Sequence, residues 1–278
     1  MSKLLFFDID GTLAMPGKGV SQRTREAIRA ARDAGHKAFL CTGRSPELVN
    51  DDILSIGFDG GIFHAGGKAI IDGKTIYENH ADAEMLQEVL PPVIRHAVFY
   101  NYETTSGDYF SDFDRDVMKS LMVEGANTEL LRLIEGMASP ENRHVRDYAG
   151  EGIYKVFFFV KTLDDYNRII RDFGPGYLPT NFSNMIQDLP IIACEVTRAD
   201  INKGAAILGI CRYLGADVSD TISFGDSMND IMMIRTTGLS VVMGNAEQRV
   251  KDEADIICES CDDDGVAKEL ERLGLTQV

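Results

Sequence analysis

The chain of 278 residues carries 44 acidic and 28 basic side chains, which gives a formal net charge of −16. Because a protein that binds nucleic acids or anionic membrane surfaces needs a basic surface, we expect neither of them as a partner of this acidic chain. The odd number of cysteines, five, favours reduced thiols and a cytoplasmic location, and we expect neither a secretory signal nor a membrane-spanning segment.

The first predicted element is a buried strand that ends in two carboxylates. Residues 4–7 are all apolar, which suits a strand covered on both faces, and Asp8, Asp10, Gly11 and Thr12 follow. Positions two apart on a strand point the same way, so Asp8 and Asp10 can face one crevice. Two such carboxylates are costly without a cation between them, and hard oxygen ligands favour Mg²⁺. The alternative interpretation is an ordinary acidic turn.

The second predicted strand also ends in polar residues. A helix over 21–34 leads to a strand over 36–41, which is followed by Thr42, Gly43 and Arg44. A threonine hydroxyl and the amides after it suit a phosphate oxygen, although Thr42 could instead cap the next helix. The next predicted elements are a strand over 61–64 and an Asp-Gly hairpin over 70–76.

The alternating pattern of predicted strands and helices changes near residue 80, which predicts a second domain inserted into the first. We expect residues 83–190 to form this insertion and residues 1–82 and 191–278 to form the first domain. The insertion has its own predicted helices, 83–94, 114–123, 128–135 and 163–173, and its own strands, 97–102, 153–160 and one from 177 onward.

After the insertion, strands and helices alternate again. The predicted strands are 191–196, 221–224, 239–243 and 255–258, and the predicted helices are 202–214, 231–235, 246–251 and 265–273. This alternation implies a right-handed, doubly wound parallel sheet of the α/β class with an inserted α+β domain.

A third polar group follows the strand over 221–224. It contains Asp226, Asn229 and Asp230, and Lys203 begins the preceding helix. A cation at a helix N-terminus opposes the helix dipole, so an anionic group should compensate it. Two acidic groups, a lysine and a threonine at one sheet edge are what phosphoryl transfer requires: Mg²⁺, a cation and a carboxylate nucleophile.

Four motifs occur in a fixed order: DIDGT (8–12), CTGR (41–44), NKG (202–204) and GDSMND (225–230). As a set they are highly specific, and the chain resembles the haloacid dehalogenase (HAD) superfamily of phosphohydrolases, in particular its Cof-like subfamily with a large α/β cap. The resemblance covers residues 1–82 and 191–273 through motifs, and the insertion through its position and length alone.

The resemblance implies a role for each motif residue. Asp8 would be the nucleophile that forms an aspartyl-phosphate, and Asp10 would protonate the leaving oxygen and then deprotonate the attacking water. The implied Mg²⁺ ligands are Asp8, the carbonyl of Asp10 and Asp226, with Asp230 in support. The groups implied to bind phosphoryl oxygens are Thr42, the Gly43 amide and Lys203, with Asn229 nearby.

Two short segments depart from the pattern of similar proteins. Many relatives have Asn-Gly-Ala after the third strand, whereas this chain has Ala65, Gly66 and Gly67, so any asparagine contact there is absent. Asp200 stands where glycine is frequent before the lysine motif, and we expect it to adopt a left-handed conformation.

The inserted domain is expected to close on the substrate, exclude water and set specificity. Its side chains that could contact substrate are Tyr102, Tyr109, Arg115, Lys119, Arg143, His144, Arg146 and Lys155. The expected activity is Mg²⁺-dependent hydrolysis of small phosphomonoesters, sugar phosphates or phosphorylated cofactors, by a monomer or homodimer. Two alternatives are open at this point: a phosphosugar mutase similar to the phosphomannomutases, and a phospho-switch or binding protein similar to receiver domains.

Overall fold

The computed structural model describes residues 2–15, 17–112, 143–181 and 192–277. Its strands are β1 (Leu4–Phe7), β2 (Lys37–Cys41), β3 (Gly60–Phe63), β4 (Lys68–Ile71), β5 (Lys74–Glu78), β6 (Phe99–Thr104), β7 (Gly107–Phe110), β8 (Arg143–His144), β9 (Ile153–Val160), β10 (Tyr177–Asn181), β11 (Ile192–Arg198), β12 (Thr221–Gly225), β13 (Leu239–Val242) and β14 (Ile256–Ile257). Its α-helices are α1 (Gln22–Asp33), α2 (Asp51–Leu54), α3 (Glu84–His96), α4 (Leu163–Arg171), α5 (Lys203–Leu214), α6 (Ile231–Thr236), α7 (Gln248–Lys251) and α8 (Gly265–Arg272). None of these helices has the length and apolar character that a membrane span requires.

The chain divides into two compact units, and the first combines Met1–Glu78 with Asn202–Val278. Its eight-stranded sheet has the order β14-β13-β12-β1-β2-β3-β4-β5, and among these described strands β4 alone runs antiparallel to the others. Phe7 packs in a core with α1 and α8, and Phe6 packs in a second core with α5. Helices therefore cover both faces of the sheet, which confirms the predicted doubly wound fold.

Local sequence accounts for the first helix and for the hairpin. The Ser21 hydroxyl accepts a hydrogen bond from the Thr24 amide at the start of α1, and Gly35 follows the helix with φ +92°. Asp72 and Gly73 both have positive φ, 49° and 71°, as a two-residue hairpin turn requires. Both predicted elements are confirmed.

The second unit, Asn79–Ile201, contains a six-stranded sheet with the order β10-β11-β9-β6-β7-β8. Its described strand pairs are antiparallel except for β7 with β8. Helices α3 and α4 share one core with Val156 and Phe158 of β9. The structure contains β7 between the strand predicted over 97–102 and the helix predicted over 114–123, where the sequence predicts no element. The helices predicted over 114–123 and 128–135 lie outside the described residues.

One strand was assigned to the wrong sheet. Residues 191–196 were expected in the first domain, but β11 hydrogen-bonds to β9 and β10 of the second unit. Apolar β11 side chains such as Cys194 and Val196 pack in the core of that unit. An apolar strand can pair with any other buried strand, and its pattern does not identify the partner. The second compact unit therefore ends at Ile201 rather than at residue 190.

Candidate active site

Three polar loops lie at the carboxyl edge of the first sheet. Strand β1 pairs with β12 on one side and with β2 on the other, and Phe7 is in register with Phe224 and Leu40. The loops that begin with Asp8 and that contain Asp226 therefore leave neighbouring strands, and Thr42 follows β2 on the other side. Ligands of doubly wound sheets bind at this edge.

Asp8, Asp226 and Asp230 form a buried group that we call the acidic cluster. One carboxylate oxygen of each residue lies within 4.8 Å of those of the other two. Lys203, the first residue of α5 and fully buried, donates hydrogen bonds of 2.6 Å to Asp8 Oδ1 and to Asp230 Oδ1. Two carboxylates therefore compensate the lysine at this helix N-terminus, as the sequence predicts.

Burial and mutual repulsion dominate the electrostatics of the acidic cluster. Burial raises the pKa of Asp8 to about 8, although Lys203 opposes this shift. Burial and the charge of Asp8 raise the pKa of Asp226 well above its usual value. Burial would lower the pKa of Lys203, but Asp230 and Asp8 raise it well above its usual value. Three carboxylates thus face one ammonium group, and this oxygen-rich, negatively charged set fits a hard divalent cation such as Mg²⁺.

Asp230 orients the loop that carries Asp226. Its Oδ2 accepts hydrogen bonds of 3.0 Å from the amides of Asp226 and Ser227, and its Oδ1 accepts that of Lys203. A Cβ atom on Gly225 would lie 2.8 Å from the Asp230 carboxyl carbon, so glycine is needed for this close approach. The supporting role at a metal site that the resemblance implies for Asp230 stays a prediction.

Arg44 holds the carboxylate of Asp10. Its Nε donates to Asp10 Oδ2 at 3.0 Å and its Nη2 donates to Oδ1 at 2.6 Å, a bidentate pair that fixes the position of the carboxylate. The hydroxyl oxygen of Thr42 accepts a hydrogen bond of 3.1 Å from the Arg44 amide, and Gly43 between them is buried. The second motif therefore reaches the first motif through Arg44, a residue to which the sequence analysis gave no role.

The predictions for Asn229 and Asp200 have different outcomes. The side-chain oxygen of Asn229 accepts a hydrogen bond of 2.6 Å from the Ser227 hydroxyl, and its part in phosphate binding stays a prediction. The left-handed conformation predicted for Asp200 is wrong, since this residue is not among the described residues with positive φ. Arg198 instead donates two hydrogen bonds to the Asp200 carboxylate, which stabilises a different turn.

Two further residues support the site from outside the predicted set. Thr12 Oγ1 donates to Asp226 Oδ1 at 2.9 Å, and Asn245 Nδ2 donates to the Gly11 carbonyl at 2.9 Å. Thr12 could have been found from its place in the first motif. Asn245 follows β13, a fourth strand that ends at the same edge, but it lies in none of the four motifs.

We expect Gly11→Ala to weaken divalent-cation binding by at least about 10-fold, because supporting contacts typically contribute this much. A Cβ on Gly11 would lie 2.8 Å from Asp226 Oδ1 and closer still to Oδ2, and the residue has φ +88°. The measurement is Mg²⁺ titration by calorimetry. Gly17→Ala is the matched control, since Gly17 has φ +71° and no atom within 4 Å of its Cβ position. Equal Mg²⁺ affinity in both variants would contradict the expectation.

In the second unit, Lys155 lies in a buried ion-pair network. It is 2 % exposed, and its Nζ is 3.3 Å from Glu103 Oε1 and 3.1 Å from Glu195 Oε2. Breaking a buried pair of this kind leaves an uncompensated charge, so the three side chains stabilise one another. Substrate contact by Lys155 stays a prediction.

The other substrate-contact candidates of the second unit that the structure describes also have partners within that unit. Arg143 donates to the Tyr109 hydroxyl at 2.9 Å, and the Tyr102 hydroxyl donates to the Val145 carbonyl at 2.9 Å. Both His144 and Arg146 contact the Asp112 carboxylate. Arg115 and Lys119 lie outside the described residues.

Comparisons with known proteins identify the family of the chain and agree with its fold. The family described as haloacid dehalogenase-like hydrolase matches residues 5–270. The chain is similar to two Bacillus subtilis (strain 168) proteins named 5-amino-6-(5-phospho-D-ribitylamino)uracil phosphatase: YwtE, 27 % identical over 98 % of both chains, and YcsE, 27 % identical over 96 % of this chain and 93 % of the relative. A solved structure of a HAD subclass IIB sugar phosphatase superposes with a TM-score of 0.77 at 24 % identity, covering 99 % of this chain and 100 % of the other.

Proposed function

The chain belongs to the haloacid dehalogenase-like hydrolases, and from this membership we propose that it is a Mg²⁺-dependent phosphatase of small phosphomonoesters with Asp8 as its nucleophile. The observation that carries the proposal is the contact of Asp8 with Lys203 at 2.6 Å inside the acidic cluster. A carboxylate nucleophile beside a buried cation is the arrangement that phosphoryl transfer requires.

The proposed reaction has two steps. An oxygen of Asp8 attacks the phosphorus atom, the bond from phosphorus to the ester oxygen breaks, and Asp10 gives its proton to the departing oxygen. Asp10 then takes a proton from a water molecule, whose oxygen attacks the phosphorus of the aspartyl-phosphate. Inorganic phosphate leaves and the Asp8 carboxylate is restored. Arg44 supports the second step of this proposal, because its bidentate pair orients a carboxylate that can accept the proton of the water molecule.

The remaining motif residues would bind the phosphoryl group. Lys203, the hydroxyl of Thr42 and the amide of Gly43 would neutralise or hydrogen-bond its oxygens, with Asn229 nearby. Mg²⁺, when bound, would neutralise charge on the phosphoryl oxygens. The residues proposed to hold it are Asp8, Asp10 through its carbonyl, and Asp226, with Asp230 in support.

Small organic phosphates are the proposed substrate class. The relatives above carry names that refer to a phosphorylated ribitylamino-uracil or to sugar phosphates, which are small polyhydroxylated esters. With a net charge of −16, the protein must attract an anionic substrate through local cations and a metal rather than through its overall field. We propose sugar phosphates and phosphorylated cofactors as the first esters to test, for a protein that acts as a monomer or homodimer in the cytoplasm.

The test is phosphate release from a panel of such esters, measured with excess Mg²⁺ and then with excess EDTA. We expect turnover with Mg²⁺ and its loss in EDTA, because chelation removes the ion proposed to neutralise charge on the phosphoryl oxygens. Added Mg²⁺ should restore activity. Turnover that survives EDTA, or exchange between sugar-phosphate isomers without net phosphate release, would contradict the proposal.

A further inference from the structure

Three consecutive residues after β3 have left-handed backbone conformations. His64, Ala65 and Gly66 have φ values of 52°, 55° and 111°, and all three are buried. We call them the left-handed segment. A Cβ atom disfavours this conformation, and asparagine or glycine usually occupies it. Two adjacent non-glycine residues therefore keep it only because the surrounding structure holds them there.

On one side the left-handed segment binds the loop of the second motif. The His64 amide donates to the Arg44 carbonyl at 2.9 Å, and the Ala65 amide donates to the Thr42 carbonyl at 3.1 Å. These bonds hold the backbone of Thr42 and Arg44, and the side chains of both residues lie in the candidate active site. If Ala65 returned to negative φ while its amide kept the bond to Thr42, the chain after its Cα atom would be redirected and Gly66 would leave its present position.

On the other side the left-handed segment lies against the start of α5. A Cβ atom on Gly66 would lie 2.7 Å from the Lys203 amide nitrogen and closer still to the Asn202 carbonyl group. The backbone at Gly66 therefore packs directly on the peptide that joins Asn202 to Lys203. Because Asn202 also caps α5 through the Ala205 amide, this peptide sets where the helix and its first side chain begin.

We propose that His64–Gly66 is a positioning segment that fixes the second-motif loop and the Lys203 peptide relative to each other. In this proposal the segment acts through Thr42, Arg44 and Lys203. The expected effect of this segment on kcat depends on the proposed function, whereas its structural coupling to Lys203 does not. Misplacement of a catalytic group by about 1 Å can cost 10²-fold in rate, so a small shift here has a large effect.

The first test compares Gly66→Ala with Gly35→Ala. Both glycines have positive φ, but Gly35 has no atom within 4 Å of its Cβ position and precedes β2, at the opposite edge of the sheet. We expect Tm to fall by about 2–4 °C for Gly35→Ala, from backbone strain alone, and by more for Gly66→Ala, whose Cβ atom would also collide with backbone atoms. In Gly66→Ala alone, kcat should fall about 10²-fold with a smaller change in KM, since displaced groups lose more of their contacts to the transition state than to the bound ester. Equal kcat in the two variants would overturn the proposal.

The second test remains informative if Gly66→Ala does not fold. Ala65→Gly keeps access to the left-handed region and should retain wild-type kcat, whereas Ala65→Val strongly disfavours it and should lower kcat about 10-fold or more. Activity that is the same in both Ala65 variants would show that the conformation of this residue does not position the site.

A third measurement separates this inference from the proposed function. Tm is measured for Gly66→Ala, Lys203→Met and the double variant, and for the same cycle with Gly35→Ala. We expect the Gly66 pair to depart from additivity by about 2 °C or more and the Gly35 pair to be additive within about 1 °C. If the wild type hydrolyses no ester, the proposed function fails and this cycle alone decides the inference. Additivity in both cycles would overturn it.

Discussion

Asp8→Asn is expected to lower phosphate release by at least about 10⁴-fold, because the amide cannot form the acyl-phosphate on which the proposed reaction depends. The substitution keeps the shape of the side chain, and its carbonyl oxygen can still accept the hydrogen bond of Lys203. Activity should therefore fall while the fold is retained. The measurement is kcat on the best ester of the panel, with circular dichroism spectra of both proteins.

Asp59→Asn is the control for this experiment. Like Asp8, Asp59 lies in the first unit and has a cationic partner, here Arg32, which donates to both of its carboxylate oxygens, but it precedes β3 at the edge opposite the site. Burial would raise the pKa of Asp59, but Arg32 and the Ala38 amide lower it below its usual value. The control should lose some stability and keep its activity. Comparable kcat values for Asp8→Asn and the wild type would exclude Asp8 as the nucleophile.

Lys203→Met is expected to lower the free energy of unfolding by about 3–5 kcal/mol when Mg²⁺ is chelated, because it leaves buried carboxylates without their cation. It should also lower kcat by about 10²–10³-fold, as loss of one charge-stabilising group does. The measurement is denaturant unfolding in EDTA together with kcat in Mg²⁺. Lys268→Met is the control, since the partly exposed pair of Lys268 and Glu259 at 3.6 Å should contribute less than about 1 kcal/mol.

A double variant tests the cause of this destabilisation. If the loss in Lys203→Met comes from surplus negative charge, then adding Asp230→Asn should recover part of the lost free energy, because it removes one of the unpaired charges. Added Mg²⁺ should also raise the stability of Lys203→Met, since a ligand that binds the folded state stabilises it. A double variant that is as unstable as the sum of both single variants would contradict this explanation.

Much of the fold and site was predictable because each motif is short and follows a buried strand. Asp8 and Asp10 come directly after an apolar run, and Asp226 and Asp230 follow another. Parallel strands place such loops at one edge, so their convergence could be inferred without coordinates. The compensation of Lys203 by carboxylates was also predictable from the unfavourable position of a cation at a helix N-terminus.

The remainder depends on contacts between distant segments. The bond between Arg44 and Asp10 forms only because the loops after β1 and β2 are adjacent, and no spacing in the sequence reveals it. Asn245 reaches Gly11 from a loop with no motif. The prediction that residues 191–196 belong to the first domain was wrong, because an apolar pattern shows that a strand is buried but does not identify its neighbouring strands. The left-handed conformation predicted for Asp200 was wrong, and the side chain of Arg198, two residues earlier, contacts the Asp200 carboxylate instead.

The pairing of β1 with β12 has a consequence for biosynthesis. Leu4 lies opposite Thr221, so the centre of the first sheet joins segments separated by 217 residues. While the ribosome is still making that later segment, β1 has only one of its two neighbours, and its apolar side chains stay exposed to solvent and to chaperones. Residues 79–201 are contiguous and need no such closure. We therefore expect the insertion to acquire its native structure on the nascent chain before the unit that surrounds it.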